Sequence, residues 1–180
     1  MSWNQIARRI RVPLGFVFAA VYLWLARPTF RSMAASSLVV AMGLLIRALA
    51  SGHVRKNEQL ATGGPYSYTR NPLYLGSIVI ALGFAAAARS WWIAGILVIF
   101  FLAIYLPVIR SEESWLRAHF PEYADYEKQV PRLLPRFNVK SEASGTFSWS
   151  LYLQHREYNA LTGAIAVFGM LLLRLYLSRR

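Results

Sequence analysis

Long apolar runs constrain this chain of 180 residues more than any other feature of its sequence. A helix that crosses a bilayer needs about 20 mostly apolar residues, and fewer where flanking Arg or Trp side chains reach the interface. Five runs approach that length, and they cover residues 12–26, 33–50, 73–88, 91–109 and 160–177. These runs predict an all-α, polytopic membrane protein with about five transmembrane helices.

The composition agrees with a membrane protein and narrows the possible partners. Hydrophobic residues make up 56% of the chain, which is too apolar for an ordinary soluble domain. The net charge is +12, but the basic residues lie mainly beside the apolar runs, so membrane topology accounts for them and nucleic acid is not expected. The chain has no cysteine, which excludes disulfides, zinc–thiolate sites and a thiol nucleophile. Its three scattered histidines do not suggest a metal site.

The third and fourth runs are predicted to form a tight hairpin. Only Arg89 and Ser90 separate them, so both open ends of the pair emerge on the same side of the membrane. The segments next to those ends are rich in Lys and Arg, and the positive-inside rule places them in the cytoplasm. Because no eukaryotic sorting signal is seen, a bacterial inner membrane is the expected location.

The last run fits this topology less well than the others. If residues 160–177 cross the membrane, Arg179 and Arg180 end outside, so this run is expected either to span the bilayer or to lie at its interface. It is also the helix through which a homodimer is predicted.

The polar stretch at residues 137–150 is predicted to be a linker. It divides the chain into a membrane core at residues 1–136, with a motif region at residues 52–136, and a C-terminal apolar helix at residues 151–180.

Small and charged residues inside the apolar runs carry further expectations. Gly83, residues 85–88 and Gly95 are expected to let helices approach closely. Arg47 and Arg174 lie within apolar runs and are expected to reach for the interface.

A polar segment before the hairpin, residues 53–76, has the features of an anion site. Asn71 precedes a proline and is therefore pushed out of the helical region, and Pro72 then begins a helix. Such a helix N-terminus, with Arg70 beside it, suits a carboxylate or a phosphate. The alternative is a basic, membrane-proximal loop without a ligand.

A second polar segment, residues 110–136, follows the hairpin and carries two adjacent acids. Glu112 and Glu113 lie at the end of an apolar helix, where an unpaired buried carboxylate would be costly, so a partner or a ligand is expected. The helix is predicted to continue through Phe120, so the simpler alternative is an i,i+4 pair of Glu113 with Arg117. Aromatic residues accompany both segments, and a belt at the membrane interface would also account for them. They are Tyr66, Tyr68, Tyr74, Trp115, Tyr123 and Tyr126.

Several ordered motifs across these two segments resemble the isoprenylcysteine carboxyl methyltransferases. The same resemblance extends to the wider group of small membrane methyltransferases that includes the phospholipid N-methyltransferases. The motifs are HVxxNE at residues 53–58, GPYxYxRNPxYxG at residues 64–76, EExxL at residues 112–116 and FPEYxxYxxxVPRLLP at residues 120–135.

The resemblance implies that S-adenosylmethionine is bound at the cytoplasmic face and leaves as S-adenosylhomocysteine. The cofactor-binding candidates are His53, Lys56, Tyr66, Arg70, Asn71, Pro72, Tyr74, Gly76, Glu112, Glu113 and Tyr126. The candidates for catalysis are Arg70, Glu113, Arg110 and Arg132. Asn71 stands where the family's Arg-His-Pro motif has its histidine. An asparagine at this position can still form hydrogen bonds but cannot take a proton.

The expected activity is methylation of a lipid-like or prenylated acceptor, with membrane lipids as partners. Carboxylate O-methylation is the first choice, and N-methylation of a phosphatidylethanolamine-type phospholipid is the alternative. A noncatalytic protein that binds anionic lipid would explain the charge but not the paired acids. A transporter would need its polar residues near the membrane midplane, whereas here they lie at one face.

Overall fold

A computed structural model describes residues 17, 19–55, 59–137 and 146–178. Lys56, Arg179 and Arg180 fall outside these residues, and so do residues 12–16 and 18 of the first predicted run. The described residues form helices joined by turns and loops, with no β-strand among them, which confirms the all-α prediction.

The helices follow the predicted apolar runs closely. Residues 19–25 are the described part of α1. The other elements are α2 (Phe30–Ser51), a 3₁₀ turn (Gly64–Ser67), α3 (Pro72–Ala88), α4 (Trp91–Phe100), a π-helical turn (Phe101–Tyr105), α5 (Leu106–His119), α6 (Tyr123–Gln129), α7 (Trp149–Gln154) and α8 (Tyr158–Leu177). Among the described residues, three helices are long and apolar enough to cross a membrane, namely Phe30–Ser51, Trp91–His119 and Tyr158–Leu177, and α3 is a shorter apolar helix.

The predicted hairpin between α3 and α4 is confirmed. α3 ends at Ala88, and α4 begins at Trp91. Arg89 takes the left-handed conformation, with φ of 51°, and its N–H donates to the carbonyl of Ala85 at 3.2 Å. A left-handed residue at this position closes the helix and reverses the chain.

The helix that contains the fourth run continues past Ile109, as predicted, and ends at His119, one residue before the predicted Phe120. α4, the π-helical turn and α5 form one continuous helix of 29 residues, Trp91–His119. Pro107 lacks an N–H for the helical ladder, and the π-helical turn just before it absorbs that mismatch. As a result, the paired acids lie on the same continuous helix as the apolar run.

α2 and α3 pack closely through glycines. A Cβ atom on Gly83 would lie 2.6 Å from Cγ2 of Val40, and one on Gly43 would lie 2.8 Å from the carbonyl oxygen of Gly76. The close packing expected at Gly83 is therefore present. Gly95 differs, because a Cβ atom there would have nothing within 4 Å.

α8 runs antiparallel to α2 along the whole bundle. At its start, Glu157 forms an ion pair with Arg47, and at its end Arg174 Nη2 donates to the carbonyl of Trp24 at 2.7 Å. Leu171 is buried in the core of the far end. This packing favours a spanning helix over an interfacial one. Both arginines bind protein groups at the two ends of α8, and their position relative to the membrane interface stays a prediction.

The bundle therefore has two distinct ends. The last residues of α2, the first residues of α3 and the last turns of α5 share one end, called the site end below. The hairpin turn and the last turn of α8 lie at the opposite end.

Candidate functional site

The two polar segments predicted to carry the chemistry meet at the site end. The N–H of Arg70 donates to the carbonyl of Pro131 at 2.9 Å, and the N–H of Arg136 donates to the carbonyl of Tyr68 at 3.0 Å. Thr69 Oγ1 donates to the carbonyl of Arg132 at 3.1 Å. These bonds hold the chain after α6 alongside the loop before α3.

Glu113 is the centre of the contact between the two segments. Its carboxylate is almost fully buried, at 2% exposure. Oε1 accepts a hydrogen bond from Asn71 Nδ2 at 3.0 Å, and Oε2 accepts from Arg132 Nε at 2.9 Å and Nη2 at 2.8 Å. Asn71 Nδ2 also lies 3.1 Å from the carbonyl of Arg132, to which it donates. The partner expected for this carboxylate is thus present, and it comes from other elements.

A second carboxylate, Glu127 on α6, is shared by two arginines. Its Oε2 accepts from Arg70 Nη1 at 3.0 Å and from Arg117 Nη2 at 2.6 Å. Arg70 Nη2 is also 3.6 Å from Glu113 Oε1, so Arg70 links both carboxylates. The i,i+4 pair of Glu113 with Arg117 is wrong as an interpretation, because Arg117 binds Glu127 instead.

These side chains form one group, which we call the acid–arginine cluster: Arg70, Glu113, Arg117, Glu127 and Arg132. Three guanidinium groups face two carboxylates, so the cluster carries a net positive charge. Buried and half-buried ion pairs of this kind are stable only when each charge is matched by hydrogen bonds.

Tyrosines line the cluster and stay protonated. Tyr126 Oη donates to the carbonyl of Tyr66 at 2.7 Å, and burial raises the pKa of both hydroxyl groups. The carboxylates of Glu112 and Glu157 raise the pKa of Tyr66 further, so both acids lie within electrostatic reach of it. Burial raises the pKa of Tyr123 to about 12. All three hydroxyl groups are therefore hydrogen-bond donors at neutral pH.

Two polar atoms in this region are buried without a hydrogen-bond partner among the described residues. They are Nε of Arg70 and Oη of Tyr123. The Arg70 guanidinium carbon lies 5.9 Å from the centroid of the Tyr123 ring, so the two atoms belong to the same region. Buried donors are rarely left unpaired, and such a pair suits a polar ligand or ordered water.

The remaining candidates divide between this region and the helix packing. Pro72 is the buried first residue of α3, and the ring of Tyr74 lies edge-on to that of Tyr105, with centroids 5.7 Å apart. Gly76 faces α2, where a Cβ atom would lie 2.6 Å from Cγ of Arg47, so its contacts are those of helix packing. His53 packs on Gly64, where a Cβ atom would lie 2.5 Å from its ring.

Two candidates on α5 are exposed rather than part of the cluster. Glu112 is exposed beside the buried Glu113. Arg110 is also exposed and lines a surface depression of about 360 Å³ with Pro107, Ser111 and Ser114. Lys56 lies outside the described residues.

Sequence reasoning missed two acids in this part of the molecule. Glu127 was not singled out, and neither was Glu157. A signal existed for both, since the chain has only 8 acids against 20 basic residues, and any buried arginine must draw its partner from so small a set.

Acid is expected to loosen α6 through Glu127. The hydrogen bond from Arg117 lowers the pKa of the Glu127 carboxyl below its ordinary value of 4.5. Because the folded-state pKa is lowered, the stabilisation by Glu127 is present above the unfolded-state value and is lost as the pH falls through the folded-state value. In scanning fluorimetry, we expect the thermal midpoint of the wild type to fall as the pH is lowered below about 4.5. The thermal midpoint of Glu127→Gln should fall less over the same range.

An exposed carboxylate next to α6 serves as the control for this titration. Glu122→Gln is expected to follow the wild type across the acid range. Equal acid sensitivity of the Glu127→Gln variant would mean that another group titrates.

Comparisons with known proteins place these features in a family. The family model described as "Phospholipid methyltransferase" matches residues 10–123. The cobalt-zinc-cadmium resistance protein CzcN of Cupriavidus metallidurans is 31% identical over 83% of this chain and 71% of its own length. The nickel-cobalt-cadmium resistance protein NccN of Alcaligenes xylosoxydans xylosoxydans is 41% identical over 50% of this chain and 43% of its own length.

A relative with a named enzymatic activity is also similar. The protein-S-isoprenylcysteine O-methyltransferase of Schizosaccharomyces pombe is 28% identical over 56% of this chain and 43% of its own length. No solved structure matches the chain.

Proposed function

As a member of the phospholipid methyltransferase family, the chain is a membrane methyltransferase, and we propose that it transfers a methyl group from S-adenosylmethionine to a lipid-like carboxylate at the acid–arginine cluster. The observation that carries this proposal is the buried Glu113, held by Asn71 and Arg132 where the two motif segments meet.

The residues at the site end fit such a cofactor. S-adenosylmethionine has an amino-acid carboxylate, ribose hydroxyl groups and an adenine ring. Within the described part of the chain, one buried N–H of Arg70 has no partner, and neither has the buried hydroxyl group of Tyr123. Arg70 would bind the carboxylate, Glu112 would accept from the ribose hydroxyl groups, and the tyrosines would supply aromatic surface.

The chain's own contribution to catalysis is positioning and charge. When bound, S-adenosylmethionine supplies an electrophilic methyl carbon on a positively charged sulfur. In-line displacement requires the nucleophile, this carbon and the sulfur to be aligned and water to be kept out. Glu113 fixes Arg132 and Asn71, so the groups that face the ligands have little freedom to move.

The charges of the cluster favour a carboxylate acceptor. Three guanidinium groups surround two carboxylates, which leaves positive potential for an anionic group. Arg132, which is partly exposed, or the exposed Arg110 would orient it. A carboxylate nucleophile needs no base, and charge cancellation with the sulfonium is favoured in a site of low dielectric constant.

Methylation of a phospholipid amine is the second candidate, and the description of the matching family favours it. An amine must first lose its proton to a base. Glu113 is already bound to Arg132 and Asn71, so the exposed Glu112 is the better base for that reaction.

Two relatives are named for metal resistance, but no metal site is proposed for this chain. Among the described residues, no group of three His, Asp or Glu side chains is placed to hold a metal ion.

The site end is proposed to face the cytoplasm of a bacterial cell, because the loops at that end are rich in Lys and Arg.

Calorimetric titration of the detergent-solubilised protein with S-adenosylhomocysteine tests the proposal first. We expect saturable binding, which Arg70→Ala weakens by at least about tenfold because a charge-assisted hydrogen bond is lost. Lys128→Ala is the matched control, since Lys128 is an exposed cation on α6 that pairs with Asp125. An Arg70→Ala variant with wild-type affinity would refute the assigned role of Arg70.

The acceptor is tested separately with a labelled methyl group. A prenylated cysteine with a free carboxylate, its amide and phosphatidylethanolamine are offered in turn. We expect label in the free carboxylate and none in the amide. Label in phosphatidylethanolamine alone would establish the second candidate, and folded protein that binds no cofactor would favour a noncatalytic lipid-binding role.

A further inference from the structure

The segment that runs from the end of the predicted linker through α7 to α8 packs against the site end. We call residues 147–157 the C-terminal wall; they lie outside the residues matched by the family model. The N–H of Ser148 donates to the carbonyl of Gly52 at 2.9 Å, and His155 Nδ1 lies 3.1 Å from the carbonyl oxygen of Ser51. The wall therefore covers the C-terminal end of α2, where helical carbonyl groups lack partners within the helix.

The wall also packs directly against the loop that carries His53. The Phe147 ring covers Gly52 so closely that a Cβ atom there would lie 2.3 Å from it, and it lies 6.1 Å from the His53 ring. His53 in turn packs on Gly64, whose φ of 56° favours glycine. Gly64 begins the turn whose Tyr66 carbonyl accepts from Tyr126. Contacts thus run without a break from the wall to the tyrosines beside the cluster.

One buried ion pair holds the wall to the membrane helices. Arg47 Nε donates to Glu157 Oε1, and Arg47 Nη1 donates to Ser77 Oγ and to the carbonyl of Leu73. Glu157 is 9% exposed, and Arg47 is the cation that lies against its carboxylate. Arg47 therefore joins α2, the first turns of α3 and the last residue of the wall.

The backbone beside this pair takes the left-handed conformation that ends α7. Arg156 has φ of 52°, in the left-handed region that non-glycine residues rarely adopt. This conformation separates α7 from α8 and precedes Glu157 directly. The N–H of Arg156 donates to the carbonyl of Leu153 at 3.0 Å, and the N–H of Glu157 donates to the carbonyl of Tyr152 at 3.3 Å. These bonds close the end of α7 and fix where Glu157 lies.

We propose that Arg47 and Glu157 are positioning residues for the methyl transfer: their ion pair holds the C-terminal wall against Gly52 and His53. Through His53 the wall supports the turn at Gly64–Ser67 and so completes the cofactor side of the site. The predicted change in cofactor affinity rests on the proposed function. The predicted ordering of the loop by the ion pair does not. It assigns a role in the site to a part of the chain that the family match does not include.

A purely structural role would make this ion pair an anchor for α8 and nothing more. The chain supplies the matched control for that possibility, because Arg174 anchors the other end of α8 to the carbonyl of Trp24. Arg174→Gln should loosen α8 without touching the wall. Glu157→Gln should loosen the wall and the loop at residues 52–67.

The experiment compares the full-length wild type with Glu157→Gln, Arg47→Lys and Arg174→Gln in the same detergent. S-adenosylhomocysteine affinity is measured by calorimetry, and hydrogen exchange is measured for peptides that cover residues 52–67. We expect Glu157→Gln to weaken binding by at least about tenfold and to speed exchange in this loop. Arg47→Lys should be intermediate, and Arg174→Gln should match the wild type in both readouts.

Either readout can overturn the inference. Glu157→Gln with the affinity and loop exchange of Arg174→Gln would reduce the ion pair to an anchor for α8. If the wild type itself binds no S-adenosylhomocysteine, the proposed function fails, and hydrogen exchange alone then decides whether the ion pair orders the loop.

Discussion

Replacing Glu113 with alanine is expected to lower the free energy of unfolding by about 3–5 kcal/mol and to abolish methyl transfer, because a buried carboxylate that balances two arginines is removed. Glu113 is 2% exposed, and its oxygens accept from Asn71 and Arg132. Without it, the Arg132 guanidinium loses its carboxylate, and the Asn71 amide keeps only the carbonyl of Arg132 as an acceptor. The measurements are thermal unfolding in detergent and the rate of methyl transfer to the acceptor that the labelling experiment identifies.

The adjacent acid gives the control for this prediction. Glu112→Ala makes the same chemical change one residue away at an exposed position, and its effect on stability should stay within about 0.5 kcal/mol. Glu113→Gln should fall between the two, since its amide oxygen can still accept from Asn71 but its amide nitrogen faces Arg132. Equal melting temperatures for the Glu112→Ala and Glu113→Ala variants would contradict a central role for Glu113.

The fold was predictable because the bilayer leaves few choices to an apolar run. Length and hydropathy were enough to predict the helices at residues 33–50, 73–88 and 160–177 to within a few residues of their ends. The two-residue connection at Arg89 and Ser90 predicted the hairpin, since so short a link permits no other path. The helix that begins at Trp91 was predicted to continue past its apolar run through Phe120, and it ends one residue earlier, at His119.

The site could be located from sequence, but its pairings could not. The hairpin placed the two polar segments on one face, and the structure joins them through Asn71, Glu113 and Arg132. Which arginine binds which acid depends on the path of the chain after α6. Arg117 was matched with Glu113 by helical spacing, yet it binds Glu127, ten residues further along the chain.

The structure explains why an asparagine can occupy the position of the histidine in the resembled Arg-His-Pro motif. Asn71 uses one amide nitrogen to bridge the Glu113 carboxylate and the carbonyl of Arg132. Both contacts need a donor and neither needs a proton to be released. An amide therefore fits this position without a titratable group, while the roles of the candidate residues toward the cofactor stay predictions.

Replacing Gly43 with alanine is expected to destabilise the bundle by about 1–3 kcal/mol, because the added methyl group has no room between α2 and α3. Its Cβ atom would lie 2.7 Å from Cγ1 of Ile80 and 2.8 Å from the carbonyl oxygen of Gly76. The second contact is with backbone, so a change of side-chain rotamer cannot relieve it. The two helices must separate, which also shifts the first turns of α3, where Asn71 and Pro72 lie.

The same substitution at Gly95 should have the opposite sign. A Cβ atom there meets nothing within 4 Å. Alanine loses less backbone freedom than glycine when a helix forms, so Gly95→Ala is expected to be neutral or to stabilise by up to about 1 kcal/mol. Both variants add one methyl group to an apolar helix, and thermal unfolding in the same detergent compares them directly. A Gly43→Ala variant that melts at or above the temperature of Gly95→Ala would mean that α2 and α3 do not approach as closely as the structure has them.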